Sequence, residues 1–543
     1  MPSKSDRIGE LRKRLRQISP QHDTPLGLIH PYWARKPMNV LEAIIDCLSE
    51  PMDLIADPFM GSGTTIFAAL ARGRRAVGSD INALSCFIVN SALAIAHDPQ
   101  ATLWQAQQFI ARVRQIILPW YKLEEAEWFI ERERFKVKGE FAHGRFKLEP
   151  TEIVAKRWIG MHWEGRKIIR NPKKHNSVRF YRNYLRSPLD FSKIKLIANS
   201  RIAIPQGARL SHFFTKRNTA AINFVIQTIA AENATDKTKN VYRFLLSAAL
   251  PLLRLSDKKA SNQWPYWRPK DNLTSRNAVI MLDKRLDSLR ELVEWLGRNP
   301  LTFQLVPANQ LQRHSTHSPT VHVFCAPIQS LASRLPKHLK VDLVLTDPPY
   351  ADQAPYLEYS ALWNSLLELG IQEEHFRLEI VKSDSAERSF DSLDYASRLS
   401  SAFDQCCKIL KPDGYLVWFY QDHELAHWKA IWTAAVRNKM RLADVLSMPK
   451  QRRSMKTVTS PGATLDGDLI CIFQRNTSEV AARSMMFEKV KKSISRHLRS
   501  LDNKPLFDQY AFLMKYCLQK GLIAQLSDKA KTVRAALNLL REP

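Results

Sequence analysis

The chain has 543 residues, more than one ordinary hydrophobic core accommodates, and this length predicts two to four domains. Its 81 Lys and Arg residues against 53 Asp and Glu residues give a formal net charge of +28, which in a folded protein indicates a surface for a polyanion, with nucleic acid as the first candidate. No apolar run approaches the roughly 18 residues of a membrane span, and no signal-peptide core opens the chain, so we expect a cytoplasmic protein. The seven cysteines lack the spacing of metal ligands, so we expect free thiols and no metal.

The first fifty residues predict two helices joined by a turn. Residues 5–18 have apolar side chains at helical spacing among Arg and Lys, which indicates a basic amphipathic helix. This helix could contact phosphate or cover a domain, and the sequence does not choose between the two. The turn HPYWARKP, residues 30–37, is rich in aromatic and basic side chains and leads into a helix at 38–48.

A βαβ unit is predicted in MDLIADPFMGSGTTIFAALARGRRAVGSDIN, residues 52–82. Strand DLIA leads into Asp57, glycines follow at 61 and 63 before a short helix, and the second strand ends at Asp80. The two glycines let the backbone approach a ligand over the helix start, and an acid after the second strand suits ribose hydroxyls. The glycine spacing differs from G-x-G-x-x-G, and Asp57 would repel a pyrophosphate, so a dinucleotide is not expected. The same acid would suit the ammonium of an amino-acid moiety.

Basic residues and aromatic rings are interleaved between residues 101 and 210, which begin with a predicted helix and continue as short strands and loops. Such a surface suits backbone phosphates, and we predict that it is the target-recognition region. The candidate phosphate contacts are Lys173, Lys174, Arg179 and Arg182, and the rings available for stacking are Trp158, Trp163, Tyr181 and Tyr184. The alternative is a solvated insertion whose aromatic residues form a small core.

The carboxyl end of a buried strand carries the second candidate functional stretch, VDLVLTDPPY, residues 341–350. Its apolar run is typical of a strand buried on both faces, and the prolines end it, so Asp347 and Tyr350 lie where ligands bind in open α/β sheets. A strand at 320–328 precedes it. A helix ended by KPDGY, the strand YLVWFY and a strand pair follow, and the loop within that pair contains the basic residues Arg452 and Arg453 as candidate DNA contacts.

These elements divide the chain into five predicted regions of an α/β protein. The regions are 1–100, the cofactor-binding half of the core; 101–210, the basic insertion; 211–318, a helical insertion; 319–476, the D-P-P-Y half of the core; and 477–543, a basic helical C-terminal extension.

The motifs DPFMGSGTT, GSD and TDPPY, with PYWARKP upstream, resemble those of the amino-methyltransferases that methylate exocyclic nitrogens of DNA bases with S-adenosylmethionine. The resemblance covers residues 24–98 and 320–475. It implies a Rossmann-like class I methyltransferase sheet with a large, partly helical insertion, as in a group of uncharacterised DNA methylases with the same D-P-P-Y context. Their helical insertions resemble SDKKASNQWPYWRPK, which here offers Lys258, Lys259, Trp264 and Arg268 to hold DNA or close over the cofactor.

The resemblance also implies roles for individual residues. The cofactor S-adenosylmethionine would be bound by Tyr32, Lys36, Asp57, Phe59, Gly61, Gly63, Thr64, Asp80, Cys325 and Ala326. Many relatives carry an acid where this chain has Cys325 and Ala326, so a backbone contact to the adenine is expected there. The catalytic group would be Asp347, Pro348, Pro349 and Tyr350, acting on a base flipped out of double-stranded DNA.

Family analogy favours adenine N6 as the acceptor, because D-P-P-Y occurs mostly with adenine and S-P-P-Y mostly with cytosine. A restriction or phage-defence partner is a further expectation. Three alternatives remain: a tRNA base methyltransferase, a catalytically inactive nucleic-acid-binding protein with the same fold, and a nicotinamide-dependent enzyme, which the glycine spacing disfavours.

Overall fold

A computed structural model of the protein shows one large sheet, one smaller sheet and a two-stranded hairpin, with helices around them. The structure describes residues 4–21, 24–33, 35–125, 127–140, 144–172, 178–199, 204–256, 271–311, 318–351, 355–385, 388–449, 465–475 and 486–541.

Fourteen strands and twenty α-helices are found in this part of the chain. The strands are β1 (Leu54–Asp57), β2 (Arg75–Asp80), β3 (Trp128–Glu140), β4 (Arg145–Ile159), β5 (His162–Arg170), β6 (Asn272–Arg276), β7 (Gln304–Leu305), β8 (Thr320–Cys325), β9 (Val341–Thr346), β10 (Ser383–Ser385), β11 (Arg388–Phe390), β12 (Leu410–Tyr420), β13 (Met440–Pro449) and β14 (Gly467–Arg475). The helices are α1 (Lys4–Gln17), α2 (Pro25–Leu28), α3 (Met38–Leu48), α4 (Thr64–Ala71), α5 (Ala83–His97), α6 (Pro99–Ile117), α7 (Val178–Tyr181), α8 (Lys216–Ala231), α9 (Asp236–Leu253), α10 (Ala278–Arg298), α11 (Leu331–Arg334), α12 (Tyr356–Tyr359), α13 (Ala361–Leu367), α14 (Glu373–Leu378), α15 (Ser392–Ile409), α16 (Leu425–Arg437), α17 (Phe487–Ser500), α18 (Leu506–Gln519), α19 (Ile523–Lys529) and α20 (Val533–Arg541).

The large sheet has the strand order β7-β8-β2-β1-β9-β12-β14-β13. Neighbours from β7 to β12 are parallel, and β14 is antiparallel to both β12 and β13. The order along the chain reverses at β1, since β2 and β8 extend the sheet on one side and β9 and β12 on the other. Ligands bind at such a switch point in open α/β sheets. This sheet confirms the predicted Rossmann-like methyltransferase fold.

Alternate residues of the central strands fill two hydrophobic layers. Ile55, Leu343 and Leu345 face the layer formed with α3, α4 and α5. Ala56 and Val344 face the opposite layer, formed with α15, α16 and the C-terminal helices. A strand that is covered on both faces needs apolar residues at nearly every position, which explains the continuous apolar run of β9.

The insertion combines helices with the four-stranded antiparallel sheet β5-β4-β3-β6. Helices α6, α9 and α10 pack on one another, and α9 also packs on α5 of the core. Strand β6 belongs to the predicted region 211–318, whereas β3, β4 and β5 belong to 101–210, so both regions contribute to one sheet.

The four rings that we expected to be available for stacking are instead engaged in packing within the insertion. The rings of Trp158 and Trp163 lie 4.8 Å apart, and those of Tyr181 and Tyr184 lie 5.8 and 5.7 Å from Trp120. This arrangement corresponds to the alternative interpretation, in which the aromatic residues form a small core.

The C-terminal helices complete the second hydrophobic layer rather than standing apart from the core. Tyr510, Leu513 and Met514 of α18 are fully buried, as are Leu526 and Leu540 of the two helices that follow. In the described part of the chain, no helix has the length and apolar character required to cross a bilayer.

Candidate active site

The carboxyl ends of β1, β2 and β9 border a cleft with about 800 Å³ of empty space, part of which is open to solvent. Because β1 pairs directly with β9, through Ile55 with Leu343 and Ala56 with Val344, the glycine turn after β1 lies beside the D-P-P-Y segment after β9. Nine of the fourteen residues predicted for the cofactor and for catalysis line the cleft: Tyr32, Lys36, Asp57, Phe59, Gly61, Thr64, Asp80, Asp347 and Pro349.

The glycine turn requires its glycines for two different reasons. Gly61 has φ +51°, and a Cβ atom there would lie 2.9 Å from Cε1 of Tyr32, whose ring is buried against the turn. Gly63 has φ +78°, and its Cβ atom would lie 2.6 Å from a methyl carbon of Val89 in α5. Gly61 therefore shapes the cleft, whereas Gly63 allows α4 and α5 to pack closely.

Asp80 is buried at the end of β2 and fixes the glycine turn. Its carboxylate accepts hydrogen bonds from the backbone N–H of Gly61 at 3.0 Å and of Asn82 at 2.8 Å. Burial raises the pKa of Asp80 to about 6, although these two hydrogen bonds favour the ionised form.

The expected adenine contacts at the end of β8 are not part of the cleft wall. The cleft is bordered here by Ile81 and Ile328. The backbone N–H of Ala326 donates to the carbonyl of Asp80 at 3.0 Å, and Cys325 is exposed beside it. An apolar wall of this kind suits the faces of an aromatic ring rather than its polar edge.

Asp57 is the buried acid between the two halves of the cleft. It accepts hydrogen bonds from the hydroxyl of Thr346 at 2.7 Å and from the backbone N–H of Phe59 at 3.1 Å. Burial raises the pKa of Asp57 to about 7, and the hydroxyls of Thr65 and Thr346 oppose that shift. A cationic group placed beside Asp57 would restore its ionised form.

Asp347 presents one free oxygen inside the cleft. Its Oδ2 atom lies 2.9 Å from the Nζ atom of Lys36, while its Oδ1 atom is buried without a hydrogen-bond partner among the residues that the structure describes. Burial raises the pKa of Asp347, whereas the nearby Lys36 lowers it. Burial has the larger effect, so the pKa of Asp347 lies above its ordinary value. An unsatisfied buried carboxylate oxygen is costly unless a ligand supplies a donor.

Lys36 and Asp468 hold Tyr350 behind the cleft. The Nζ atom of Lys36 donates to the Tyr350 hydroxyl at 2.9 Å and lies 3.0 Å from Oδ2 of Asp468, and the Tyr350 hydroxyl donates to Oδ1 of Asp468 at 3.1 Å. Burial and the nearby carboxylates raise the pKa of Tyr350 well above its ordinary value, so the hydroxyl stays protonated. The sequence analysis missed Asp468. An acid that directly precedes the apolar run LICIF was the available signal.

The backbone of the D-P-P-Y segment is fixed by a buried chain of hydroxyls. Tyr395 donates to the carbonyl of Pro349 at 2.6 Å and lies 3.1 Å from the hydroxyl of Tyr420, which donates to Asp422 at 2.9 Å. The rings of Tyr420 and Tyr350 meet edge to face at 5.6 Å. Pro349 is thus already an acceptor, and Pro348 is buried at the end of β9.

Most of the predicted DNA contacts lie outside the described residues, namely Lys173, Lys174, Lys258, Lys259, Trp264, Arg268, Arg452 and Arg453. The side chain of Arg179 is also not described, and Arg182 is exposed after α7. Within the described ranges, no group of three His, Cys, Asp or Glu side chains could hold a metal ion.

Comparison with known proteins links these features to one family. The model of the DNA methylase family of N6/N4 methyltransferases matches residues 10–90 and 341–520. The first matched segment contains Lys36, the glycine turn and Asp80, and the second contains D-P-P-Y and Asp468.

Three curated relatives match over shorter stretches. Type II methyltransferase M1.MboII of Moraxella bovis is 50% identical over 48 residues, 9% of this chain and 18% of the relative. Type II methyltransferase M.EcaI of Enterobacter cloacae is 35% identical over 72 residues, 13% and 16% of the two chains. Type II methyltransferase M.HindIII of Haemophilus influenzae is 39% identical over 49 residues, 9% and 16%. The matches thus span less than a fifth of each relative. The two segments that border the cleft are nevertheless similar in sequence to the DNA methylase family of N6/N4 methyltransferases.

Proposed function

We propose that the protein transfers a methyl group from S-adenosylmethionine to an exocyclic amine of a DNA base, with adenine N6 as the favoured acceptor. The observation that carries this proposal is the buried Oδ1 atom of Asp347, which lacks a donor within the described residues and borders the cleft beside the glycine turn. An amine N–H is the donor that this oxygen needs.

The residues of the first half fit the cofactor. Asp80 at the end of β2 would accept ribose hydroxyls, Asp57 would face the ammonium of the methionine part, and Ile81 and Ile328 would cover the adenine faces. Bound S-adenosylmethionine would supply an electrophilic methyl group on a sulfonium. The chain's own contribution is to bind it beside Asp347 and to exclude water.

The residues of the second half address the weak nucleophilicity of the acceptor. The lone pair of an exocyclic amine is delocalised into the base, so hydrogen bonds that fix the amine geometry help to direct that pair toward the methyl carbon. Asp347 Oδ1 would accept one amine hydrogen and the carbonyl of Pro348 the other. Tyr350 would stack on the flipped base, which offsets an unpairing cost of a few kcal/mol.

The choice of adenine rests on the Asp of D-P-P-Y and on family analogy alone. A carboxylate and a carbonyl accept equally well from adenine N6 and cytosine N4, so the geometry described so far is common to both. We also propose a cytoplasmic location and restriction or defence proteins as partners.

A single incubation tests the proposal. The protein is mixed with S-adenosylmethionine carrying a labelled methyl group and with duplex DNA or tRNA, and the labelled base is identified after digestion. We expect N6-methyladenine in DNA. Label in cytosine would correct the base, label in tRNA alone would support the RNA alternative, and no label would refute methyl transfer to these nucleic acids.

The variant Asp347→Asn separates catalysis from binding. Its amide keeps the shape of the side chain but loses the charge that orients the amine, so transfer should fall by about 100-fold or more while S-adenosylmethionine still binds. The matched control is Asp444→Asn, which changes a fully buried acid on β13 that Arg12 and Lys515 hold away from the cleft. Wild-type transfer by Asp347→Asn would refute the role of this residue.

A further inference from the structure

Asp468 is a buried acid that none of the predicted roles uses. It lies on β14, only 2% exposed, and shares the ammonium of Lys36 with Asp347. We propose that Asp468 is a positioning residue for the acceptor: by sharing the ammonium of Lys36, it keeps Oδ1 of Asp347 a strong acceptor for the hydrogen bond of the target amine and for the proton that this amine releases. The inference rests on the methyl transfer proposed above.

The geometry places one cation between two acids. The Nζ atom of Lys36 is 2.9 Å from Asp347 and 3.0 Å from Asp468, and the Lys36 side chain is only 12% exposed. One ammonium and two carboxylates leave the cluster with a net charge of −1. If Asp468 were neutral, Lys36 and Asp347 would form a one-to-one pair, and the remaining oxygen of Asp347 would be a weaker acceptor.

Tyr350 fixes the third side of this arrangement. Its hydroxyl accepts from Lys36 at 2.9 Å and donates to Asp468 at 3.1 Å, so Asp468 is held by two donors. Lys36 contacts Asp347 through its Oδ2 atom, at 2.9 Å. Its Oδ1 atom has no hydrogen-bond partner among the described residues, and the Tyr350 ring is fixed by the two contacts of its hydroxyl.

The charge left on Asp347 has a use during transfer. As the amine nitrogen bonds to the methyl carbon, the carbon–sulfur bond breaks with its electron pair on sulfur, and the nitrogen must lose one proton. Oδ1 of Asp347 is the acceptor in contact with that amine, and solvent takes the proton when the product leaves. A carboxylate neutralised completely by Lys36 would hold this proton poorly.

Several groups around Asp347 titrate or carry charge, and they shift its pKa in different directions. Burial raises the pKa of Asp347, Lys36 lowers it and Asp468 raises it. Tyr350 and Tyr356 stay protonated, because burial raises the pKa of both hydroxyls. Asp57 on β1 also faces Asp347, and burial raises its own pKa to about 7. A pH profile must therefore be assigned to Asp347 by substitution.

Infrared titration of the whole protein provides that assignment without turnover. The carboxylic acid band that Asp347→Asn removes belongs to Asp347, and the pH at its midpoint is compared among variants. Asp468→Asn should move this midpoint to lower pH, because a charge that opposes ionisation is lost. Lys36→Met should move it to higher pH, because a cation that favours ionisation is lost.

Transfer kinetics supply the second measurement. We expect Asp468→Asn to lower kcat by about ten- to 100-fold with little change in KM for S-adenosylmethionine. Asp468→Glu, which restores the charge, should recover most of the midpoint shift. The control Asp444→Asn changes an equally buried acid that is paired with Arg12 and Lys515, and it should leave the midpoint and kcat unchanged while lowering thermal stability as Asp468→Asn does.

The outcomes distinguish this inference from the function on which it rests. The role of Asp468 is refuted if the titration midpoint of Asp347 is the same in the Asp468→Asn and Asp444→Asn variants. It is also refuted if the Asp468→Asn variant has the kcat of the wild-type protein. A wild-type protein that methylates no nucleic acid refutes the proposed function instead, and the infrared midpoints still decide whether Asp468 controls the charge of Asp347.

Discussion

Replacing Gly61 by alanine should weaken cofactor binding by a mechanism that can be read from two atoms. The residue has φ +51°, and the added Cβ atom would stand 2.9 Å from Cε1 of Tyr32. Carbon atoms in good contact are about 3.5–4.0 Å apart, so the ring must move by roughly 0.6–1 Å. Tyr32 borders the cleft, and its displacement alters the space for the cofactor.

The magnitude has two parts. A side chain in the left-handed region costs about 1–2 kcal/mol of stability wherever it occurs. The movement of Tyr32 adds a cost in binding, which we set at about 1.4 kcal/mol, or a tenfold rise in the Kd for S-adenosylmethionine. Only the second part is specific to the cleft.

Gly73→Ala is the matched control, because Gly73 has φ +70° but nothing within 4 Å of its Cβ position. Both variants should lose similar thermal stability, and isothermal titration calorimetry should show weaker S-adenosylmethionine binding for Gly61→Ala alone. Equal affinities for the two variants would refute the reasoning, since the contact with Tyr32 would then have no effect on the site.

Three further predictions address the acid Asp57, the D-P-P-Y segment and the DNA-binding surface. Burial raises the pKa of Asp57 to about 7, so calorimetry should show that the Kd for S-adenosylmethionine rises as the pH falls through that value. The Asp57→Asn variant should lack this pH dependence. If the dependence persists in the variant, Asp57 is not the group that causes it. Tyr395→Phe removes the 2.6 Å hydrogen bond to the carbonyl of Pro349. Steady-state kinetics should show a kcat lower by about fivefold, which corresponds to near 1 kcal/mol, with an unchanged KM for S-adenosylmethionine. A raised KM with an unchanged kcat would instead place Tyr395 in cofactor binding. Replacing Lys173 and Lys174 by alanine should reduce the slope of log DNA affinity against log salt by up to about 2, as measured by fluorescence anisotropy, and an unchanged slope would move the DNA surface elsewhere.

The sequence predicted the parts of the site that depend on local chemistry. Glycines before a helix, an acid after the second strand and prolines after a buried strand each follow from backbone and charge rules that act within about ten residues. The structure accordingly places Gly61, Asp80 and Asp347 around the same cleft.

The contacts missed by the sequence analysis depend on which strands become neighbours. Tyr350 and Asp468 are 118 residues apart, and Lys36 and Tyr350 are 314 residues apart. They meet because β14 enters the sheet antiparallel beside β12, an arrangement that no local pattern specifies. Strand pairing also affects the predicted adenine contact at the end of β8, since the backbone N–H of Ala326 donates to the carbonyl of Asp80 on the neighbouring strand β2.

One short segment connects the two halves of the cleft. Tyr32 lies against Gly61, and Lys36, four residues later, holds Asp347. A change that moves Tyr32 should therefore also disturb the acceptor, so Gly61→Ala should lower kcat even at saturating S-adenosylmethionine. Asp468→Asn acts on the same carboxylate through Lys36, and the effects of the two substitutions on kcat should then be less than additive in the double variant. Strict additivity would mean that the halves work independently and that Lys36 is fixed by the acids alone, without support from the segment that carries Tyr32.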